Sequence, residues 1–198
     1  MTNEELAKEI AKGLIETGIE GGTDAVSCST AGDYPSIGCS QWEGSRADYL
    51  LSCIDGGERF IGRSYSDIEE ADELDELALL ISSPQGEEAQ MELLAQDTLL
   101  YVDWLKDIVS LDDSRAFIYA GMWCPTSHVV VCNFLEWFED EVDYRSLYEI
   151  YKLFEYSYAD YAQCSEYAYG YANRAETTYH YVAGLNLREY GVQPYDGE

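Results

Sequence analysis

Basic side chains are scarce in this sequence. Four Lys and seven Arg stand against 39 Asp and Glu among 198 residues, a formal charge of −28. A phosphate-binding footprint needs clustered Lys and Arg, so nucleic acid is not expected as a partner. An anionic membrane surface repels such a chain for the same reason. Long apolar runs are absent too, and no window approaches the ~20 residues of a membrane span. The start, Met1-Thr2-Asn3-Glu4-Glu5, lacks the positive segment and apolar run of a secretory signal, so the expectation is a protein made in the cytoplasm without a signal peptide. The six cysteines contain no Cys-x-x-Cys pair, which removes zinc-ribbon and thioredoxin-like motifs. Cys124, His128 and Cys132 fall at i, i+4 and i+8, but a structural zinc normally takes four ligands, and the intervening Val129-Val130-Val131 suits a strand or a buried helix equally. Free thiols, no metal and no cofactor are expected. What is plentiful is apolar surface: 46% hydrophobic residues suffice for a core despite the charge.

Periodicity predicts a mostly α chain. Leu6, Ala7, Ile10, Ala11 and Leu14 lie at helical spacing over residues 3–17, with Thr2 or Asn3 as N-cap and Gly18 and Gly21-Gly22 at the end. Residues 21–40 are rich in Gly, Ser, Thr, Cys and Asp, which is loop or short hairpin material. A helical pattern resumes from Arg46 to Cys53 and stops at Gly56-Gly57. Residues 67–80 are very acidic with a Leu-rich end, read as a solvated helix face over a few core leucines. Gly86 to Lys106 is another helix, and Ala116 to Val131 is the most apolar part, a buried helix or helices interrupted at Pro125. The final third holds 13 of the 18 tyrosines, several at i, i+3, i+4 and i+7, as in helices with an aromatic stripe. Such a stripe is ordinarily core packing with wet hydroxyls. With no long linker and no internal repeat, one domain over residues 1–198 is expected.

The stretch that carries chemistry runs from Glu20-Gly21-Gly22 to Ser36-Ile37-Gly38-Cys39-Ser40-Gln41-Trp42. A Glu at a helix end, followed by glycines, suits the edge of a cleft. A general acid must hold its proton near neutral pH, and partial burial of a carboxyl group favours that state. A hairpin with Ser, Gln and Trp adds hydrogen-bonding groups and an aromatic face for a sugar ring. Glycosidic cleavage asks for such a set, ordinarily with a second carboxylate.

The order Glu20-Gly21…Val26…Ser36-Ile37-Gly38…Gln41-Trp42-x-Gly44-x-Arg46-Ala47…Leu50-Leu51 resembles lysozyme-like peptidoglycan hydrolases of Gram-positive bacteria and their phages. Weaker likeness extends through Gln90, Gln96-Asp97, Arg115-Ala116-x-Ile118-Tyr119 and Tyr171-x-x-Arg174 to Tyr179-x-Tyr181-Val182, so most of the chain is covered, although only Ser36 to Ala47 is specific. The resemblance implies a lysozyme-like fold, a helical bundle with a small β-hairpin beside the active-site cleft, and a glycosidase that cuts the glycan strand of peptidoglycan. It implies Glu20 as general acid and Ser36, Gln41, Trp42 and Tyr119 as substrate-binding residues, with Gln41 and Trp42 either touching the sugar or structural, the indole then being core. It also implies action on the cell wall after lysis or as part of a phage particle.

Two departures from the pattern stand out. The loop Thr30-Ala31-Gly32-Asp33-Tyr34-Pro35 is one residue longer than in the family, and Asp33 is the nearest candidate for a second catalytic carboxylate, or else a turn residue. Where the family carries an acidic–amide cluster, this chain has Gly121-Met122-Trp123-Cys124-Pro125. The competing expectation is a non-enzymatic acidic interaction protein, such as a DNA mimic, whose carboxylates at 69–76 and 139–143 imitate phosphate rows. A mimic has no need for the Glu-Gly and Ser-Ile-Gly-x-x-Gln-Trp pattern, so the glycosidase is preferred.

Overall fold

Helices account for most of the residues in the computed structural model, which describes residues 1–107, 113–138 and 140–195. The acidic run at 139–143 is therefore described without Glu139, which lies outside these residues. A single two-stranded antiparallel sheet is present among the described residues. The chain divides into two compact units: Met1–Thr17 with Ala95–Glu198, and Gly18–Leu94.

In the first unit, α1 (Asn3–Thr17) starts with a reciprocal capping box. Thr2 Oγ1 accepts from the Glu5 N–H at 3.2 Å, and Glu5 Oε2 accepts from the Thr2 N–H at 2.7 Å. The predicted stripe, Leu6, Ala7, Ile10, Ala11 and Leu14, is buried. Small residues let helices approach closely: a Cβ on Gly13 would stand 2.7 Å from Met122 Sδ, and one on Gly121 would collide with Ile10. The helix α6 (Ser114–Gly121) is capped by Asp113, which accepts from the N–H groups of Arg115 and Ala116, and it is buried from Arg115 to Gly121. The interruption expected at Pro125 falls on either side of it, at Met122-Trp123 where α6 ends and at Ser127, whose extended backbone (φ −177°, ψ 111°) kinks the next helix. Residues 125–130 are half-buried or exposed rather than buried. Pro125 sits in the first turn of α7 (Cys124–Trp137), where its missing N–H has no helical partner to lose. Two long helices follow, α8 (Leu147–Tyr161) and α9 (Ser165–Ala183). Arg115 anchors the tail after α9, donating to the carbonyls of Leu185 and Gln193 at 3.0 and 2.9 Å.

The aromatic stripe is divided as the spacing suggests. Trp123 stacks on Tyr158 with centroids 4.2 Å apart, and Tyr119 stacks on Phe154 at 5.7 Å, all four of them buried. Tyr156, Tyr161, Tyr167 and Tyr169 point outward.

In the second unit, β1 (Val26–Cys28) pairs with β2 (Pro35–Ile37) in the register Val26↔Ile37, Ser27↔Ser36, Cys28↔Pro35. The helix α2 (Gly44–Ser52) buries Ala47, Leu50 and Leu51. The acidic segment at 67–80 forms two short helices, α3 (Tyr65–Glu70) and α4 (Leu74–Ile81). They are separated at Asp72, whose φ of +59° is left-handed and ends the first helix. Ile68, Leu77 and Ile81 reach the core while Leu79 stays exposed. The helix α5 (Pro84–Lys106) begins in this unit, and its residues from Ala95 onward belong to the first.

Candidate functional site

The segment Ile37–Trp42 closes on itself. Ile37 and Trp42 exchange backbone hydrogen bonds at 3.0 and 2.9 Å, and the Gln41 N–H reaches the Gly38 carbonyl at 3.1 Å. Gly38 has φ +74° and Gln41 φ +53°, so two left-handed residues fold four into a tight loop. Gly38 N–H donates to the Ala25 carbonyl at 2.8 Å, fastening the loop to the strand side. This is the physical content of Ser-Ile-Gly-x-x-Gln-Trp: a β-strand end, a turn that needs a glycine, and a return residue that pairs with the strand.

The side chains named from the sequence reinforce the loop. Gln41 Oε1 accepts from Ser27 Oγ at 3.0 Å and from Ser36 Oγ at 3.2 Å, and its Nε2 donates to the Gly38 carbonyl at 3.1 Å. Gln41 is exposed, whereas Ser36 is buried in the centre of β2. Trp42 is 5% exposed, so its indole is part of the unit's core rather than an open stacking face.

Glu20 lies in the loop between α1 and β1 and is half-buried, with its Oε1 withdrawn from solvent. It follows α1 after Gly18, whose φ of +62° turns the chain, and precedes Gly21, at φ +150°. Gly21 brings this loop against the turn of the motif, where an added Cβ would stand 3.5 Å from the Cys39 carbonyl oxygen. Burial pushes the Cys39 thiol up to about 12, and the negative charge of Glu20 pushes in the same direction. The carboxylate and the loop of the motif thus belong to one electrostatic neighbourhood.

Asp33 and Tyr119 are placed otherwise. Asp33 is exposed, and its Oδ1 accepts from both the N–H and the hydroxyl of Ser66, at 2.9 and 3.0 Å, in the first turn of α3. Its carboxylate satisfies donors in the first turn of α3, a long-range role that neither expectation for this position named. Tyr119 belongs to the other unit, is 0% exposed, and gives its hydroxyl to the Ala175 carbonyl at 3.3 Å. Burial pushes that hydroxyl's ionisation well up. As the structure stands it is a core residue with no surface for a ligand, and the likeness that singled it out could not report that α6 is buried on every side.

The side chain that sequence reasoning left without a role is Gln90, on α5. It is fully buried and bonds the loop after Glu20 and the turn at Cys39. The sequence marks it only as one residue of the weaker likeness; in the structure it shares a buried face with Ala89, Leu93 and Leu94.

Among the described residues, no group of three or more His, Cys, Asp or Glu is gathered as a metal would require. His128 instead stacks on Trp104 with centroids 3.8 Å apart, and Cys124 Sγ faces the Ala120 carbonyl at 3.7 Å. No described helix is long and apolar enough to cross a membrane. No family model, no curated protein and no solved structure matches the chain.

Proposed function

We propose that this protein is a glycosidase that cuts the glycan backbone of bacterial peptidoglycan, on a lysozyme-like fold, with Glu20 as its general acid. One observation carries the reading. Glu20 is a half-buried carboxylate with Oε1 withdrawn from solvent, and the next residue, Gly21, lies against the loop that resembles the family's motif, where an added Cβ would stand 3.5 Å from the Cys39 carbonyl oxygen. A carboxyl group in that setting is suited to protonate the oxygen of a leaving sugar, which is the step a glycosidase must assist.

The other motif residues support the acid by holding the loop. Ser36 and Gln41 lock its backbone, and Trp42 supplies buried mass beneath it, so their part in binding is the shape they impose. Asp33 acts at the start of α3, and the chemistry rests on one identified carboxylate. Two outcomes then remain open to the glycan. Water can take the new sugar end, giving a reducing terminus, or a hydroxyl of the same sugar can attack, giving an anhydro terminus without added water.

The test is digestion of purified peptidoglycan stripped of its anionic polymers, with mass spectrometry of the soluble products. Fragments ending at a cleaved GlcNAc–MurNAc bond support the proposal, and their termini separate the two outcomes. Intact glycan with every wall tested, together with salt-sensitive inhibition of a DNA-binding enzyme, would support the acidic mimic instead.

A further inference from the structure

Two backbone segments next to Glu20 converge on one side chain that belongs to neither. Gln90 is 0% exposed. Its Oε1 accepts from the Cys39 N–H at 2.9 Å. Its Nε2 donates to the Thr23 carbonyl at 2.9 Å and to the Ile81 carbonyl at 2.8 Å. A primary amide has two N–H donors and one carbonyl, and here both donors and the carbonyl are engaged. The partners come from three places: the loop after Glu20, the turn of the motif, and the end of α4.

A buried amide on an apolar stripe is costly unless all of its polar groups are bonded, so the position is not explained by packing. The turn is shaped to receive it. A Cβ on Gly38 would stand 2.6 Å from Gln90 Oε1 and 3.1 Å from Trp42 Cζ3. The glycine therefore serves the close approach of the amide as well as its own φ of +74°.

We infer that Gln90 is a positioning residue for Glu20, an inference that rests on the proposed glycosidase reading. One bond fixes Thr23, three residues beyond the acid. Another fixes Cys39, whose thiol feels the acid's charge. The amide thus sets the separation between the loop that bears Glu20 and the turn that faces it, without touching substrate. Misplacement of a catalytic group by about 1 Å can cost on the order of a hundredfold in rate, so loosening the clamp lowers activity beyond its effect on folding.

Two variants of the full chain test this. Gln90→Leu keeps the volume and removes every bond. Gln90→Glu keeps the acceptor for Cys39 but, as a carboxylate, turns a second oxygen toward two carbonyls; once protonated, it can return one donor. Amide hydrogen exchange at Cys39 is read without substrate, and kcat and KM are read on stripped peptidoglycan at about pH 7 and about pH 5. The titratable groups around the clamp include Glu20, Asp24 beside Thr23, Cys39, and Glu87, which accepts from Thr23 Oγ1 at 3.2 Å. They are the same in wild type, so activities are compared as variant-to-wild-type ratios at each pH.

The expected result is faster exchange at Cys39 in both variants, with kcat down about tenfold or more and KM little changed. The Gln90→Glu ratio should recover toward the acidic pH while the Gln90→Leu ratio stays flat. Wild-type exchange and wild-type kcat in a folded Gln90→Glu protein would overturn the inference. Should the wild type cleave no glycan, the positioning role falls with the functional reading, and exchange at Cys39 reports the clamp by itself.

Discussion

Ser27 on β1 donates its hydroxyl to Gln41 Oε1 at 3.0 Å, which ties the first strand to the loop that closes the second. The same oxygen accepts from Ser36. Gln41→Ala removes these bonds and the one to the Gly38 carbonyl, and it leaves a Cβ-bearing residue at φ +53° without local support. A loss of about 1–2 kcal/mol in denaturant unfolding is expected, with glycan cleavage reduced as well.

Gly38→Ala is the sharper test of the turn. The new methyl group would meet Gln90 and Trp42 in a backbone conformation that favours glycine. The expected destabilisation is about 1–3 kcal/mol, visible as a lowered urea midpoint with an unchanged slope.

Asp33 separates a structural carboxylate from a catalytic one. Asp33→Asn keeps an oxygen for the Ser66 N–H and hydroxyl, so stability and cleavage should stay near wild type. Asp33→Ala should cost about 0.5–2 kcal/mol in thermal unfolding, the usual range for a lost helix cap, with cleavage largely retained. Loss of cleavage in folded Asp33→Asn would return Asp33 to the chemistry.

Thiol accessibility follows burial and charge. Cys28, Cys53 and Cys164 are exposed, whereas Cys39 and Cys124 are buried with ionisation pushed upward. A disulfide reagent at neutral pH should modify the first three quickly and the other two only on unfolding. The same shift sets an alkaline limit. Cys39 ordinarily ionises at 9.0 and is held up to about 12 when folded. The unfolded chain therefore loses that proton first, and the stability this thiol contributes is complete below the unfolded value and declines as pH rises toward the folded one. Tyr190, pushed up to about 12 chiefly by burial and then by Glu9, acts in the same direction. Unfolding midpoints measured up the alkaline range should fall accordingly.

Much of this organisation was legible beforehand because it is local. The periodicity of α1, the glycines that end it, and the turn chemistry of residues 21–40 each depend on near neighbours. The break between α3 and α4 was not legible, since it follows from a left-handed Asp72 beside Glu73, which pairs with Arg63. The likeness gives Tyr119 a substrate role, but its burial depends on Phe154 and Ala175, far along the chain. Gln90 was the least visible of all. Its meaning lies in partners 51 and 67 residues away, which no window of sequence brings together.

The most direct measurement compares wild type with Glu20→Gln for release of cleaved glycan termini from stripped peptidoglycan, with circular dichroism and thermal unfolding as the control for folding. The substitution removes an ionisable proton and little else. The general-acid role predicts that the wild type releases termini and that folded Glu20→Gln loses on the order of a hundredfold or more of that rate. Equal release by the two proteins would contradict it.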